Sequence, residues 1–231
     1  MTETERRDRL IGWLDVVYVD VQHLLLNDHV FWEFQNVVKQ NDQFLSASGL
    51  FTQFIAEAYA HSAAVGIRRH AKADKDSISI MRFLEEVRDH PQTVSREHYI
   101  SLYKGKEAWH IEIGQHDFDR VAGEGSPHVP PQLADEQIQD VKGAVEVVEH
   151  YVDRRIAHYD KRDLARPLPK YSELTDALKA LEKIVILYWR LLKGPSMTTI
   201  VPIIMYDWKD IFRFAWDLKN TARQSTVEAT Q

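Results

Sequence analysis

The stretch VKGAVEVVEHYVDRRIAHYDKR, from Val141 to Arg162, carries the clearest indication of the fold class. Its apolar residues recur at spacings of three and four, which is the period of a helix that buries one face. The buried stripe is predicted to consist of Val141, Ala144, Val145, Val148, Val152, Ile156 and Tyr159. We therefore predict one long helix over residues 133–159, packed against other helices.

The segments on both sides of this stretch have the same period. Apolar stripes and capping residues predict further helices at about 4–26, 30–38, 42–70, 77–90, 95–103 and 172–193. Asn27 or Asp28 is the predicted N-cap of the second of these helices, and Ser77 and Ser95 are the predicted N-caps of two later ones. Pro91 is predicted to stop the helix that Ser77 begins, because proline lacks the N–H that a helix needs.

Glycine and proline are concentrated in residues 104–131, where the helical period is lost. We predict a long irregular loop there. The sequence as a whole predicts an all-α fold, a bundle of about six or seven helices with this long inter-helix loop. It is expected to form a single domain over residues 1–219, followed by a disordered tail over residues 220–231.

Composition narrows the classes of function. The chain has 231 residues, a net charge of −6 and no cysteine. The charge argues against a broadly basic nucleic-acid-binding surface, and the lack of cysteine excludes thiol catalysis and disulfides. Six of the first ten residues are charged, and no apolar run approaches the roughly 20 residues that span a bilayer. We expect a cytoplasmic protein that does not enter a membrane.

The end of the long helix concentrates chemically capable side chains. His150, Arg154 and His158 are spaced i, i+4 and i+8, so they share one helical face, and Arg155 lies three residues before His158. An imidazole transfers protons near neutral pH, and a guanidinium binds phosphate through two parallel hydrogen bonds. Such a set is sufficient to cleave RNA without a metal ion.

The same residues are also consistent with a purely structural role. His158 would then form a hydrogen bond to a neighbouring helix, and Asp160 would pair with one of the two adjacent arginines. Arg68 and Arg69 have two interpretations as well. They are either solvated residues at a helix end, paired with nearby aspartates at positions 74 or 76, or a positive patch that binds phosphate or an acidic partner.

A second cluster, in the predicted loop, contains His110, Glu112, His116, Asp117 and Asp119. These residue types bind zinc, manganese or iron, but their spacing matches no defined metal motif. We therefore predict neither a metal site nor a cofactor.

Three motifs resemble a known family. DRRIAHYDKRD at residues 153–163 is followed by a helix and then by DWKDIFRFAW at residues 207–216. Together with IRRHAKADKDSISIMRFLEEVRDHP at residues 67–91, they resemble the HEPN-like domains of the AbiU type, found in bacterial abortive-infection systems. The resemblance extends over residues 58–216, and it implies a helical bundle that is usually dimeric.

In the wider superfamily, many members are metal-independent endoribonucleases, in which two Arg-x(4–6)-His motifs meet across a dimer. The resemblance therefore implies phage defence, with an RNA-cleaving site formed by a homodimer. Its predicted catalytic residues here are His158, Arg154, Arg155 and Asp160, and its predicted phosphate-binding and RNA-binding residues are Arg68, Arg69 and Arg162.

The chain departs from the family motif. Arg154 and Arg155 lie only four and three residues before His158, and no histidine has an arginine five to seven residues before it. The alternative prediction is a non-catalytic helical module for dimerisation or interaction. Its expected partners are a second copy of the chain, or a toxin–antitoxin or defence-operon partner.

Overall fold

The computed structural model describes residues 1–41, 49–153, 168–194 and 197–212. Within these ranges it contains seven α-helices and no strand, which confirms the predicted all-α class. The helices are α1 (Glu3–Lys39), α2 (Gly49–Ala71), α3 (Ile80–Asp89), α4 (Arg96–Ser101), α5 (Ala108–Ala122), α6 (Pro131–Tyr151) and α7 (Tyr171–Lys193).

The core lies among α1, α2, α6 and α7. Helix α1 packs along α7 and α2, while α6 packs against α2, α3 and α7. Side chains such as Leu14, Ile67, Val145 and Leu181 are almost completely buried where these helices meet. Helices α4 and α5 pair with each other, and α4 also contacts α7.

Helix α1 is continuous, so the break predicted at Asn27 or Asp28 is wrong. Asp28 faces the core and is only 8% exposed. It accepts hydrogen bonds from the hydroxyl of Tyr59 and, at 2.7 Å, from that of Thr175. Burial and the hydrogen bond to Asp28 raise the pKa of Tyr59 far above its ordinary value. The carboxylate of Asp28, which the sequence suggested as a helix cap, thus accepts hydrogen bonds from side chains of α2 and α7 instead.

The loop predicted over residues 104–131 is wrong in its central part, which forms α5. Gly105, Gly123 and Gly125 have positive φ angles and lie in the turns on either side of this helix. Gly114 is inside it, where an added Cβ would lie 2.9 Å from Cε2 of Tyr103. That glycine therefore allows close packing of α5 and does not interrupt the helix.

Some of the predicted helix boundaries are confirmed. Ser95 is the N-cap of α4 and accepts a hydrogen bond from the backbone N–H of His98. The N-cap of α3 is Ser79 and not the predicted Ser77, whose hydroxyl donates to the carbonyl of Asp74.

Several predictions fall wholly or partly outside the described residues. Helix α6 covers the predicted helix as far as Tyr151, and residues 154–159 are not described. The chain divides into two compact units between Val201 and Pro202. In the first unit, Met197, Ile200 and Val201 pack against the core, and the second contains a short 3₁₀ helix at Trp208–Phe212. The single domain over 1–219 and the disordered tail over 220–231 stay predictions.

Candidate functional site

The predicted site residues fall into two groups. His158, Arg154, Arg155, Asp160 and Arg162 lie outside the described residues. The remaining two, at positions 68 and 69, lie in the last turn of α2. The described geometry therefore concerns the surroundings of the predicted site, on α1, α2 and the end of α6.

The C-terminal end of α6 is tied to the C-terminal half of α2. Arg68 donates from Nε to Oδ1 of Asp153. Lys72, four residues after Arg68, pairs with Glu149, four residues before Asp153. Close to these ion pairs, the ring of Tyr151 is nearly parallel to that of His61, with ring centroids 6.3 Å apart. Asp153, the last described residue before position 154, is thus in contact with Arg68.

Arg69 faces the opposite way, towards α1. One of its terminal nitrogens donates to both carboxylate oxygens of Asp20 at 2.5 Å. The same carboxylate lies 2.8 Å from Nε2 of His70, whose side chain is almost completely buried. Burial alone would raise the pKa of Asp20, but the contacts with His70 and Arg69 outweigh it and hold the pKa below its ordinary value.

Of the three predicted phosphate-binding arginines, the two that the structure describes, Arg68 and Arg69, are already paired with carboxylates. Their partners are Asp153 and Asp20, and not Asp74 or Asp76, which the sequence suggested as partners. Arg69 remains 53% exposed, so its free N–H groups can still reach an anion. A phosphate at this position would share the guanidinium with Asp20.

An open groove of about 490 Å³ lies between α1 and α2. Its lining consists of Asp20, His23, Leu24, Asn27, His61, Ser62, Val65, Gly66 and Arg69. One histidine stands on each helix, and Arg69 supplies a guanidinium. The volume is in the range of small-ligand sites, although the groove is open to solvent.

The groove depends on a close approach of the two helices at Gly66. An added Cβ at this position would lie 2.9 Å from Cδ1 of Leu24, and closer still to its other methyl group. The lack of a Cβ at Gly66 therefore accommodates the Leu24 side chain at the observed distance between α1 and α2. That distance brings the polar residues of both helices to one surface.

Two carboxylates of the predicted cluster of acidic residues and histidines on α5 form ion pairs. Asp119 pairs with Arg96 at 2.5 Å, and Asp117 pairs with Arg120. In the described ranges, no three histidine, aspartate or glutamate side chains are placed so that they could hold a metal ion.

His23 and His61 were not among the site residues predicted from the sequence. They are far apart along the chain and lie on different helices, so no spacing motif connects them. A weak signal exists on α2, where His61, Val65 and Arg69 are spaced i, i+4 and i+8 on its exposed face. Only the packing of α1 against α2 brings His23 to the same groove.

Comparison with known proteins gives one match. A family model described as AbiU2, of the HEPN group, matches residues 16–211, which is most of the chain. No curated protein and no solved structure matches this chain. Among the described residues, no helix is both long enough and apolar enough to cross a membrane.

Proposed function

Because this chain belongs to the AbiU2 family of HEPN domains, we propose that it is a phage-defence protein that cleaves RNA as a homodimer without a metal ion. His158 is the proposed proton acceptor, with Arg154 and Arg155 beside it on the chain and Asp160 completing the catalytic set. Arg68, Arg69 and Arg162 are the proposed phosphate-binding and RNA-binding residues.

One observation carries this proposal. The end of α6, from which the chain continues to His158, is held against the basic end of α2 by the ion pairs Arg68–Asp153 and Lys72–Glu149. The basic end of α2 thereby lies beside the last described residues before the segment that contains the proposed histidine. Arg154, Arg155 and Arg162 follow in the sequence, and their positive charge would favour the binding of a phosphodiester.

The proposed reaction is an internal transfer at phosphorus. His158 removes the proton of the ribose 2′-hydroxyl, the 2′-oxygen attacks phosphorus, and the bond from phosphorus to the 5′-oxygen breaks. Arg154 or Arg155 stabilises the extra negative charge of the phosphorane. The products are a 2′,3′-cyclic phosphate and a 5′-hydroxyl.

The proposal is tested with purified protein and a fluorescently labelled single-stranded RNA. His158→Ala is expected to lower the cleavage rate by about 100-fold or more, because general-base catalysis contributes roughly that much. His116→Ala is the matched control, since His116 is an exposed histidine on α5. Equal rates for His158→Ala and the wild type would overturn the proposed role of His158.

A second candidate function is a non-catalytic interaction module. The departure from the Arg-x(4–6)-His spacing favours it, and so do exposed apolar residues on α1 and α2. Val19 is 50% exposed, Phe54 64% and Val65 46%, which is typical of a surface that another protein covers. A second copy or a defence-operon partner would be its occupant. A wild-type protein that associates through this surface but leaves RNA intact would support the module.

A further inference from the structure

Four polar side chains meet in the groove between α1 and α2 without hydrogen-bonding partners in the described chain. His23 and Asn27 of α1 and His61 and Ser62 of α2 line the groove, and all four are exposed. Within the described ranges none of these side chains donates or accepts a hydrogen bond, although the His61 ring packs along that of Tyr151. Their hydrogen-bonding groups are therefore available to a bound molecule.

The groove has two distinct ends because α1 and α2 run antiparallel. Asp20 contacts Arg69, while Leu24, one turn later on α1, lies against Gly66, one turn earlier on α2. Ser62 lies seven residues before Arg69, about 10 Å away along the helix at 1.5 Å per residue. We call the two ends the arginine end, which contains Arg69, and the serine end, which contains Ser62. A ligand that contacts both ends must be larger than a single phosphate.

The arginine end is suited to a phosphate group. One terminal nitrogen of Arg69 contacts Asp20, and the other N–H groups of this exposed guanidinium have no partner in the described chain. His23 follows Asp20 by three residues, so it lies on the same face of α1 and adds a second donor. A guanidinium binds phosphate through charge-assisted parallel hydrogen bonds. A phosphate and the Asp20 carboxylate would compete for Arg69.

The serine end is suited to hydroxyl groups. The Asn27 amide and the Ser62 hydroxyl each donate and accept hydrogen bonds, and His61 precedes Ser62 on α2. Leu24 and Val65 supply apolar surface between the two ends. The described lining contains no phenyl, phenol or indole ring on which a nucleobase would stack. These side chains therefore fit the hydroxyl groups of a sugar better than a base.

We propose that the groove binds a sugar phosphate, with the phosphate at the arginine end and the sugar hydroxyls at the serine end. The site shares Arg69 with the proposed RNA-binding residues. It does not depend on RNA cleavage, because the side chains that carry it all belong to α1 and α2.

Three probes separate the two ends of the groove in isothermal titration calorimetry. Ribose 5-phosphate contacts both ends, inorganic phosphate only the arginine end, and ribose only the serine end. Ribose 5-phosphate is expected to bind the wild type about 10-fold or more tightly than either of the others, because each loses the hydrogen bonds of one end. Absence of binding at millimolar ribose 5-phosphate, or an equal affinity for inorganic phosphate, would overturn the proposal.

Variants at each end are expected to affect different probes. Arg69→Gln is expected to weaken ribose 5-phosphate by about 10-fold or more and to leave ribose unchanged. Its matched control is Arg120→Gln, since Arg120 is also exposed and paired with an aspartate, Asp117 on α5. The double variant Asn27→Ala, Ser62→Ala is expected to weaken ribose 5-phosphate but not inorganic phosphate. If Arg69→Gln and Arg120→Gln have equal effects, the arginine end does not bind the phosphate.

Asp20→Asn is expected to have the opposite effect. The amide oxygen still accepts hydrogen bonds from Arg69 and His70, but the negative charge beside the phosphate is removed. Inorganic phosphate and ribose 5-phosphate are therefore expected to bind about threefold more tightly, and ribose equally. A loss of affinity for phosphate in a variant with unchanged thermal unfolding would contradict the phosphate position beside Arg69.

NMR spectra of the wild-type protein locate the ligand without any variant. The ring resonances of His23 and His61 are expected to shift when ribose 5-phosphate is added, because both rings line the groove. Those of His116, an exposed histidine of α5, are expected to stay in place. Binding that leaves the His23 and His61 resonances unchanged would place the ligand elsewhere and overturn the proposal.

A sugar phosphate occurs both as a free small molecule and at the 5′-phosphorylated end of an RNA. Competition with 2′-O-methyl RNA, which the proposed reaction cannot cleave, distinguishes these sources. Displacement of ribose 5-phosphate by the 5′-phosphorylated oligonucleotide, and not by its 5′-hydroxyl form, supports the site with an RNA end as its ligand. No displacement by either supports it with a free sugar phosphate. A wild type that cleaves RNA but binds no ribose 5-phosphate overturns this site alone, and one that binds it but cleaves no RNA overturns only the proposed function.

Discussion

At the residue scale, the fold depends on one buried carboxylate. Asp28 joins three helices, because it accepts hydrogen bonds from Tyr59 of α2 and Thr175 of α7. Trp32 of α1 extends the network by donating from its indole nitrogen to Thr175 at 2.9 Å. Removing the acceptor leaves the buried hydroxyl of Tyr59 without its partner, while Thr175 keeps its hydrogen bonds with Trp32 and with the carbonyl of Tyr171.

Asp28→Ala is therefore expected to lower the free energy of unfolding by about 1–3 kcal/mol, because an unsatisfied buried hydroxyl costs roughly that much. Urea denaturation at neutral pH measures it. Asp8→Ala, at an exposed position of the same helix, is the control and is expected to stay within about 0.5 kcal/mol of the wild type. An unchanged midpoint for Asp28→Ala would show that the network does not stabilise the fold.

At the element scale, two glycines in helix interiors are expected to respond in opposite directions. Gly66→Ala is expected to destabilise the protein by about 1–3 kcal/mol, because its methyl group would overlap the buried side chain of Leu24. Gly143→Ala in α6 is expected to stabilise it by about 0.5–1 kcal/mol, since no atom lies within 4 Å of the added carbon.

Thermal and chemical denaturation of the two glycine variants test this difference. If Gly66→Ala is as stable as Gly143→Ala, α1 and α2 can separate without lowering the free energy of unfolding. The close approach that forms the groove would then be incidental to the fold.

The helices were largely predictable from the sequence, because each one repeats a local period. Helix α7 was predicted over 172–193 and spans Tyr171–Lys193. The role of Asp28 and the existence of α5 were predicted wrongly, because those predictions also relied on local sequence alone. A short polar side chain and a glycine-rich segment suggest a cap and a loop locally, while tertiary contacts give each a different role.

The candidate site was less predictable than the helices. The basic pair Arg68–Arg69 is visible in the sequence, but its partners Asp153 and Asp20 are 85 and 49 residues away. The groove histidines are likewise brought together only by helix packing. A single sequence contains local periodicity and motif spacing, whereas these contacts depend on how whole helices are placed.

At the scale of the whole molecule, the exposed apolar residues of α1 and α2 bear on assembly. Val16, Val19, Phe54 and Val65 are each about half exposed or more. Val65 lines the polar groove, and the other three precede its lining residues on the same two helices. A second copy seated there would remove this apolar surface from water. The groove would then lie within the interface, as expected for a site that acts in a dimer.

We expect the wild-type protein to have twice the chain mass of 26.9 kDa in sedimentation or light-scattering measurements. The double variant Val19→Asp, Phe54→Asp is expected to have the single-chain mass, because both charges would be buried without partners. Ile113→Asp places the same charge on an exposed apolar position of α5 and is expected to leave the mass unchanged. A monomeric wild type, or a dimeric double variant, would contradict the homodimer.

The continuity of α1 also determines when the protein can fold during its synthesis. This helix of 37 residues is about 55 Å long, and much of its apolar face is covered by the last part of the chain. Its contacts Gln22–Ile200 and Asp15–Lys193 each join residues 178 positions apart. At a synthesis rate of about 5–20 residues per second, these partners are made roughly 10–40 s after α1. A ribosome that stalls before α7 leaves this apolar face uncovered, as a binding site for chaperones.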